Sequence, residues 1–351
     1  MGESMTDIQK VAIFARNDSF LQPIIRELKN RNTIVKVLTY DNQLKAMDLL
    51  HWADFAFFEF LHQPLQMAAD MDSVHCRITA RLHGLEFYDF NIRNINWPRV
   101  NLITSAPQMI RWNRLKESLP HGAVNHAASE HTINLGVNSA ATATPKGTYG
   151  HNIAITAFTP LPRKRLYTTV ESFFDLLLQT RKWGNNCPWH LNIRGLDVNR
   201  QGYRGEEARE YVAFIEELQA TAAEIGLCDT DPLPITAHNY LAPPDWSRFL
   251  SGMDCIIDNS MQEGYHISVL EAMAHGVMPF VHRWIGAELI YPESCLFLTQ
   301  RELVDKILYW EALPLKDKER ISLELQQIVR EKHDENVLAK QTVDVILGVA
   351  Q

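Results

Sequence analysis

Apolar runs of strand length alternate with amphipathic stretches of helix length along almost the whole chain. The first cycle sets the pattern. Residues 11–15 are an unbroken apolar run, and residues 20–31 follow with Leu21, Ile24, Ile25 and Leu28 at helical spacing. Residues 34–39, 54–60, 77–82 and 100–105 continue as predicted strands, and 43–52 and 107–119 as helices. The second of these helices opens on Pro107, a residue suited to a first turn because its missing N–H costs nothing there. Residues 125–144, rich in Ala, Asn, Ser and Thr and followed by Pro145-Lys146-Gly147, break the rhythm.

The alternation then restarts. Strands are predicted at 152–158, 189–193, 233–238, 254–258, 278–281 and 295–298. Helices are predicted at 165–182, 206–227, 245–253 and 268–275, the last stopped by Gly276, and three more close the chain at 301–312, 317–333 and 335–349. Strands alternating with helices predict right-handed crossovers and parallel sheets. Two such sets predict an α/β protein with two Rossmann-like domains facing a cleft, residues 1–147 and 148–333, with ligands at the carboxyl ends of the strands. A chain of 351 residues is long enough for both.

One segment carries most of the chemistry. Residues 259–276 read Asn-Ser-Met-Gln-Glu-Gly-Tyr-His-Ile-Ser-Val-Leu-Glu-Ala-Met-Ala-His-Gly: a strand end, a turn with one glycine, then a helix. The unpaired N–H groups of the helix start, around His266, Ile267 and Ser268, form an anion site. Gly264 permits close approach of a ligand to the backbone. Glu263 lies in the turn and Glu271 on the helix, so an anion at the helix start has a carboxylate on either side to accept hydroxyl hydrogen bonds. A capped surface helix with acidic residues at its start would give the same local pattern.

The stretch Glu263-Gly264-Tyr265-His266-Ile267, then Glu271-Ala272-Met273-Ala274-His275-Gly276, resembles the E-x7-E motif of the retaining glycosyltransferases of family 4. That resemblance implies a GT-B fold and transfer of a hexosyl unit from a nucleotide-diphosphate sugar to a glycan, lipid-linked or small-molecule acceptor, with retained anomeric configuration. It implies Glu263 on the transferred sugar, Glu271 on the ribose, and the backbone of Tyr265 to Ser268 on the diphosphate. His266 stands where the family commonly has glycine. Arg81-Leu82-His83-Gly84 resembles the family's first-domain histidine, which puts His83 toward the donor sugar; a strand-end histidine in a turn is the plain alternative. Asn134-Leu135-Gly136-Val137-Asn138 resembles the family's Asn-Gly-Val-Asp and reads as structural. Lys164, with Arg163 or Arg165 beside it, matches the basic pair on the diphosphate, and Gly286 and Glu288 a Gly-x-x-Glu-like turn one residue shorter. Cations at a helix start oppose the macrodipole unless an anion sits there, which favours the functional reading of Lys164. The last helix, in 334–351, is expected to pack back on the first domain, as in similar proteins.

Two departures bear on activity. Phe158 and Thr159 stand where the family often has Arg, and the first loop, Arg16-Asn17-Asp18-Ser19, lacks the paired glycines. They support one alternative, a catalytically silent partner or scaffold subunit of the same fold; a nucleotide-sugar epimerase of that fold is the other.

Composition narrows the rest. A net charge of −8 argues against general nucleic-acid binding, which needs clustered cations. The polar first ten residues and the lack of a long apolar run predict neither signal peptide nor membrane span. Five scattered cysteines without a C-x-x-C pair predict reduced thiols and a cytoplasmic protein. Fourteen histidines without a ligand motif predict no metal, and the absence of G-x-G-x-x-G and Walker loops predicts no nicotinamide or ATP cofactor. Arg111, Arg114 and Lys116 beside Ile110, Trp112 and Leu115 would allow contact with the inner membrane face, although an ordinary surface helix reads the same way. The oligomeric state is not encoded in any pattern above.

Overall fold

The computed structural model describes residues 8–15, 21–39, 43–61, 63–84, 86–88, 90–118, 126–140, 149–156, 162–182, 189–197, 199, 203–224 and 234–349. The chain divides into two compact units, 1–137 with 333–351, and 138–332. The division falls before the boundary expected near residue 147, and residues 141–148 lie outside the described ones.

The first unit runs β1 (Lys10–Ala15), α1 (Gln22–Asn30), β2 (Ile34–Thr39), α2 (Gln43–Trp52), β3 (Phe55–Glu59), α3 (Gln63–Asp70), β4 (Arg77–Leu82), β5 (Val100–Thr104), α4 (Ala106–Ser118) and β6 (Ser129–Thr132). Its sheet has the order β2-β1-β3-β4-β5-β6 with every pair parallel. The second unit runs β7 (Asn152–Thr156), a 3-10 turn Pro162–Lys164, α5 (Leu166–Lys182), β8 (His190–Arg194), α6 (Tyr203–Glu224), β9 (Ile235–His238), α7 (Pro243–Ser251), β10 (Cys255–Asp258), α8 (Ile267–Ala274), β11 (Met278–His282), β12 (Leu296–Phe297), α9 (Gln300–Ala312) and α10 (Leu315–Lys332). Its order is β12-β11-β10-β7-β8-β9, again all parallel. The final helix, α11 (Glu335–Ile346), belongs to the first unit.

Period-2 alternation explains why β1 from Val11 to Ala15 and β3 from Phe55 to Phe58 are apolar on consecutive residues: each strand feeds two cores. Ala12, Phe14, Ala56, Phe58, Ile78 and Ala80 pack with Leu50, Leu65 and Trp112 from α2, α3 and α4. Phe14 stacks on Phe58 with ring centroids 4.5 Å apart. Their neighbours Val11, Ile13, Phe57 and Ile103 turn the other way, against Leu21, Ile24 and Leu28 and against Ala339, Val343 and Ile346 of α11.

The Asn134–Asn138 motif anchors that return helix. Val137 and Asp334 pair as an isolated parallel bridge, with Val137 N–H donating to the His333 carbonyl at 2.9 Å and Glu335 N–H to the Val137 carbonyl at 3.0 Å. A Cβ on Gly136 would sit 2.4 Å from the Glu335 Cα, so glycine is the one residue that lets the two backbones meet. Gly276 does a different job. At φ 72 it ends α8, its own N–H donating to the Met273 carbonyl, while Val277 N–H reaches the Ala272 carbonyl.

Two elements escaped the sequence pattern. β6 lies inside the stretch read as a break, and α3 was not predicted. Among the described residues no helix is long and apolar enough to cross a membrane.

Candidate functional site

In the second unit the strand order reverses between β10 and β7: β8 and β9 lie on one side of the pair, β11 and β12 on the other. Chain leaving the carboxyl ends of such neighbours diverges and leaves a crevice, the usual ligand position in open parallel sheets. Both halves of the predicted site follow these two strands. Lys164 ends the 3-10 turn after β7, and Glu263 lies in the loop between β10 and α8.

The structure joins them. The Lys164 ammonium pairs with the Glu263 carboxylate, both side chains nearly buried. A backbone bond from Met261 N–H to the Arg163 carbonyl, 2.8 Å, ties the two loops together. The Arg163 Nε has no hydrogen-bond partner among the described residues. Arg165 takes a left-handed φ of 50, a costly conformation for a side-chain-bearing residue that marks a constrained turn.

His266 caps α8 with φ −88 and ψ 87 and no side-chain cap bond. Its imidazole is turned inward instead, Nδ1 lying 2.8 Å from the Asp258 carboxylate and Nε2 3.4 Å from the Thr156 hydroxyl. Asp258 closes β10 and is buried. Burial alone would raise its carboxyl, but His266, Lys164 and the Ser260 hydroxyl outweigh that and hold it below the usual aspartate range. Tyr265 is pushed the other way, above the ordinary tyrosine value, by burial. Gly264, Ile267 and Ser268 are half-buried around the start of α8.

Glu271 is one turn further along α8 and is held by another element: the indole Nε1 of Trp246, in α7, donates to it at 2.7 Å. Glu263 and Glu271 are thus fixed separately, one by the turn after β7 and one by α7. His275 goes to the Ser247 hydroxyl at 2.6 Å and the Glu271 carbonyl at 2.8 Å, away from His266. Asp258, Glu263 and His266 do bring three ligand atoms within 4.8 Å of one another, a cluster the sequence reading did not foresee. Lys164 occupies the Glu263 side of that cluster, and a fixed ammonium there disfavours a cation.

In the first unit His83 follows β4 and is held from three sides. Its Nε2 lies 2.9 Å from Glu59 Oε1, its ring stacks on Phe60 at 4.1 Å, and its backbone N–H donates to Glu86. Glu59 closes β3 and is buried; Arg81 lies 3.4 Å from it and donates to the Thr342 hydroxyl of α11 at 2.9 Å. Burial would raise the Glu59 carboxyl, and Arg81 with His83 outweighs that to hold it low. Phe60 takes φ 76, an uncommon left-handed conformation for a bulky residue. With Nε2 committed to Glu59, His83 presents its Nδ1 edge and a fixed ring plane.

Sequence reasoning named Lys164, Arg163, Glu263 and the α8 start as candidates, and did not name Glu59, Asp258 or Trp246, which the structure places against His83, His266 and Glu271. The signal for two of these was present: Glu59 and Asp258 are each the charged last residue of an otherwise apolar strand. Phe158, Thr159 and the loop at 16–19 lie outside the described residues. Cys76, Cys255 and Cys295 are buried free thiols, and Cys187 and Cys228 also lie outside.

No protein-family model matches the chain, and no curated protein matches it in sequence. Solved structures do match. A sucrose-phosphate synthase from Thermosynechococcus elongatus superposes with TM-score 0.68 at 13% identity, over 97% of this chain and 99% of that one. Anabaena HepE in complex with UDP-glucose gives TM-score 0.68 at 15% identity, over 97% and 100%. A UDP-forming α,α-trehalose-phosphate synthase from Burkholderia xenovorans gives TM-score 0.70 at 11% identity, over 98% and 100%. The two six-stranded parallel sheets, each with its helices, are the GT-B fold of these proteins.

Proposed function

We propose that this chain transfers a hexosyl unit from a nucleotide-diphosphate sugar to a glycan, lipid-linked or small-molecule acceptor, with retention of anomeric configuration. The observation that carries this reading is the Lys164–Glu263 pair beside the start of α8, at the point where the strand order reverses. Its support is the resemblance of residues 263–276 to the E-x7-E motif and the fold shared with a sucrose-phosphate synthase, a UDP-forming trehalose-phosphate synthase and HepE in complex with UDP-glucose.

The departing diphosphate is the charge to be stabilised, because glycosyl transfer passes through an oxocarbenium-like state with negative charge growing on the leaving group. Lys164 has three N–H donors; one is held by Glu263, leaving two for phosphate oxygens. Arg163 adds a guanidinium whose Nε is uncommitted. The backbone from Tyr265 to Ser268 supplies the N–H groups and the positive end of α8. Glu263 takes sugar hydroxyls and Glu271 the ribose hydroxyls. His83, oriented by Glu59, is assigned to the transferred sugar. No protein nucleophile is assigned, and no metal takes part. A cytoplasmic site with peripheral contact at the inner membrane face suits an acceptor carried on lipid.

Thermal melting with UDP, GDP, ADP, CMP and dTDP tests the donor site. A ligand that binds only the native state raises Tm by mass action. One nucleoside diphosphate should stabilise the wild type by several degrees and Glu271→Ala much less. No stabilisation at millimolar nucleotide would overturn the reading and bring forward a silent partner subunit.

A further inference from the structure

The carboxyl ends of β8 and β9 carry a cluster that the transfer chemistry above does not use. Arg194 closes β8 and is only 8% exposed. Its guanidinium lies 4.0 Å from the centroid of the Trp246 ring and 5.1 Å from that of Tyr240. Nη2 donates to the Leu241 carbonyl at 2.9 Å, and Nε meets no hydrogen-bond partner among the described residues. A buried guanidinium N–H without an acceptor is costly, so the cluster is incomplete as it stands. Burial pulls the Arg194 pKa down, with Glu271 and Tyr240 acting against that, so the cation is held in a desolvated place beside the α8 carboxylate. Tyr240, just past β9, is 53% exposed, a large aromatic left open to solvent.

Position says what would complete it. With the order β10-β7-β8-β9, the usual strand spacing puts β8 about 10 Å and β9 about 14 Å from β10. The diphosphate belongs at β10 and β7, and Glu271 at the ribose. Trp246 joins Glu271 to Arg194 through its indole N–H on one side and its ring face on the other. Beyond the ribose lies the base. Aromatic faces accept a planar heterocycle by stacking. A guanidinium donates and never accepts, so it suits the oxo edge of uracil or guanine and is mismatched to the amino group of cytosine or adenine.

We propose that Arg194, Tyr240 and Trp246 form a nucleobase site that selects an oxo base, uracil or guanine, over an amino base; the proposal rests on the donor reading above. Tyr240 and Trp246 supply stacking area, and Arg194 supplies the selection.

Titration calorimetry of the whole chain with UDP, CDP, GDP and ADP tests it. UDP should bind at least about ten-fold tighter than CDP, or GDP than ADP, on the scale of one well-placed hydrogen bond to a base edge. The pair that binds identifies the ring size. Arg194→Met should bring that ratio close to one, whereas Tyr240→Ala should weaken both members of the pair and leave their ratio unchanged. If Arg194→Met does not fold, the wild-type ratio decides. Equal affinities, or a preference for CDP or ADP, overturn the base selection and leave the donor site standing. Failure of all four nucleotides to bind overturns both.

Discussion

The two units use the same device with opposite surroundings. In each, a strand ends on a buried carboxylate that holds a histidine: Glu59 and His83 in the first, Asp258 and His266 in the second. In the first unit a buried arginine, Arg81, balances the acid from inside, and it is tied in turn to α11. In the second the nearby cation is Lys164, which shares itself with Glu263 at the mouth of the crevice. In the first cluster both the acid and its arginine are buried. In the second, Lys164 and Glu263 are a little more exposed, and Arg163, next to Lys164 in the chain, has an Nε without a hydrogen-bond partner among the described residues. On the proposed function, the same pair of residue types would serve rigidity in one place and ligand capture in the other.

Removing the acid of the first unit should break the comparison most sharply. Glu59→Ala strands Arg81 in a buried site, and breaking such a pair costs about 3–5 kcal/mol. Urea unfolding should register most of that loss; a change below about 1 kcal/mol would mean that Arg81 finds another partner. Glu263→Ala and Lys164→Ala make the opposite case. Each should lower kcat about 10²–10³-fold, the range seen when one donor to a developing anion is lost, with the fold retained and a smaller loss of stability than in Glu59→Ala. Full activity in both purified variants would refute the site. The smallest expected effect concerns the cluster of Asp258, Glu263 and His266. Turnover should be the same in EDTA as in magnesium if, as proposed, Lys164 fills the role of the cation; loss on chelation would assign the three residues to a metal.

Much of this architecture was readable in residue order. Strands such as β1 and β3 are apolar on consecutive residues, and the helices between them carry spacing that only one secondary structure satisfies. What escaped has physical reasons. β6 reads Ser-Glu-His-Thr because it is an edge strand, paired on one side only, and needs no apolar alternation. α3 is short and begins Gln-Pro, too brief for a periodic signal. At the site, the α8 loop stood out because its chemistry is local in sequence. The partners that hold it are not local: Lys164 meets Glu263 across 99 positions, and Trp246 meets Glu271 across 25. Pairings of that kind are decided by which strands become neighbours, and no window of sequence contains them.

The return of the chain through α11 has a consequence for synthesis. During translation the residues of β1 to β6 emerge first, but one of their two cores is closed only when Ala339, Val343 and Ile346 arrive. All of residues 138–332 must leave the ribosome in between. The later unit has its full sequence earlier and can fold as a contiguous piece. The earlier one waits with the apolar side of β1 and α1 uncovered, and is the part of the nascent chain that would need shelter from chaperones.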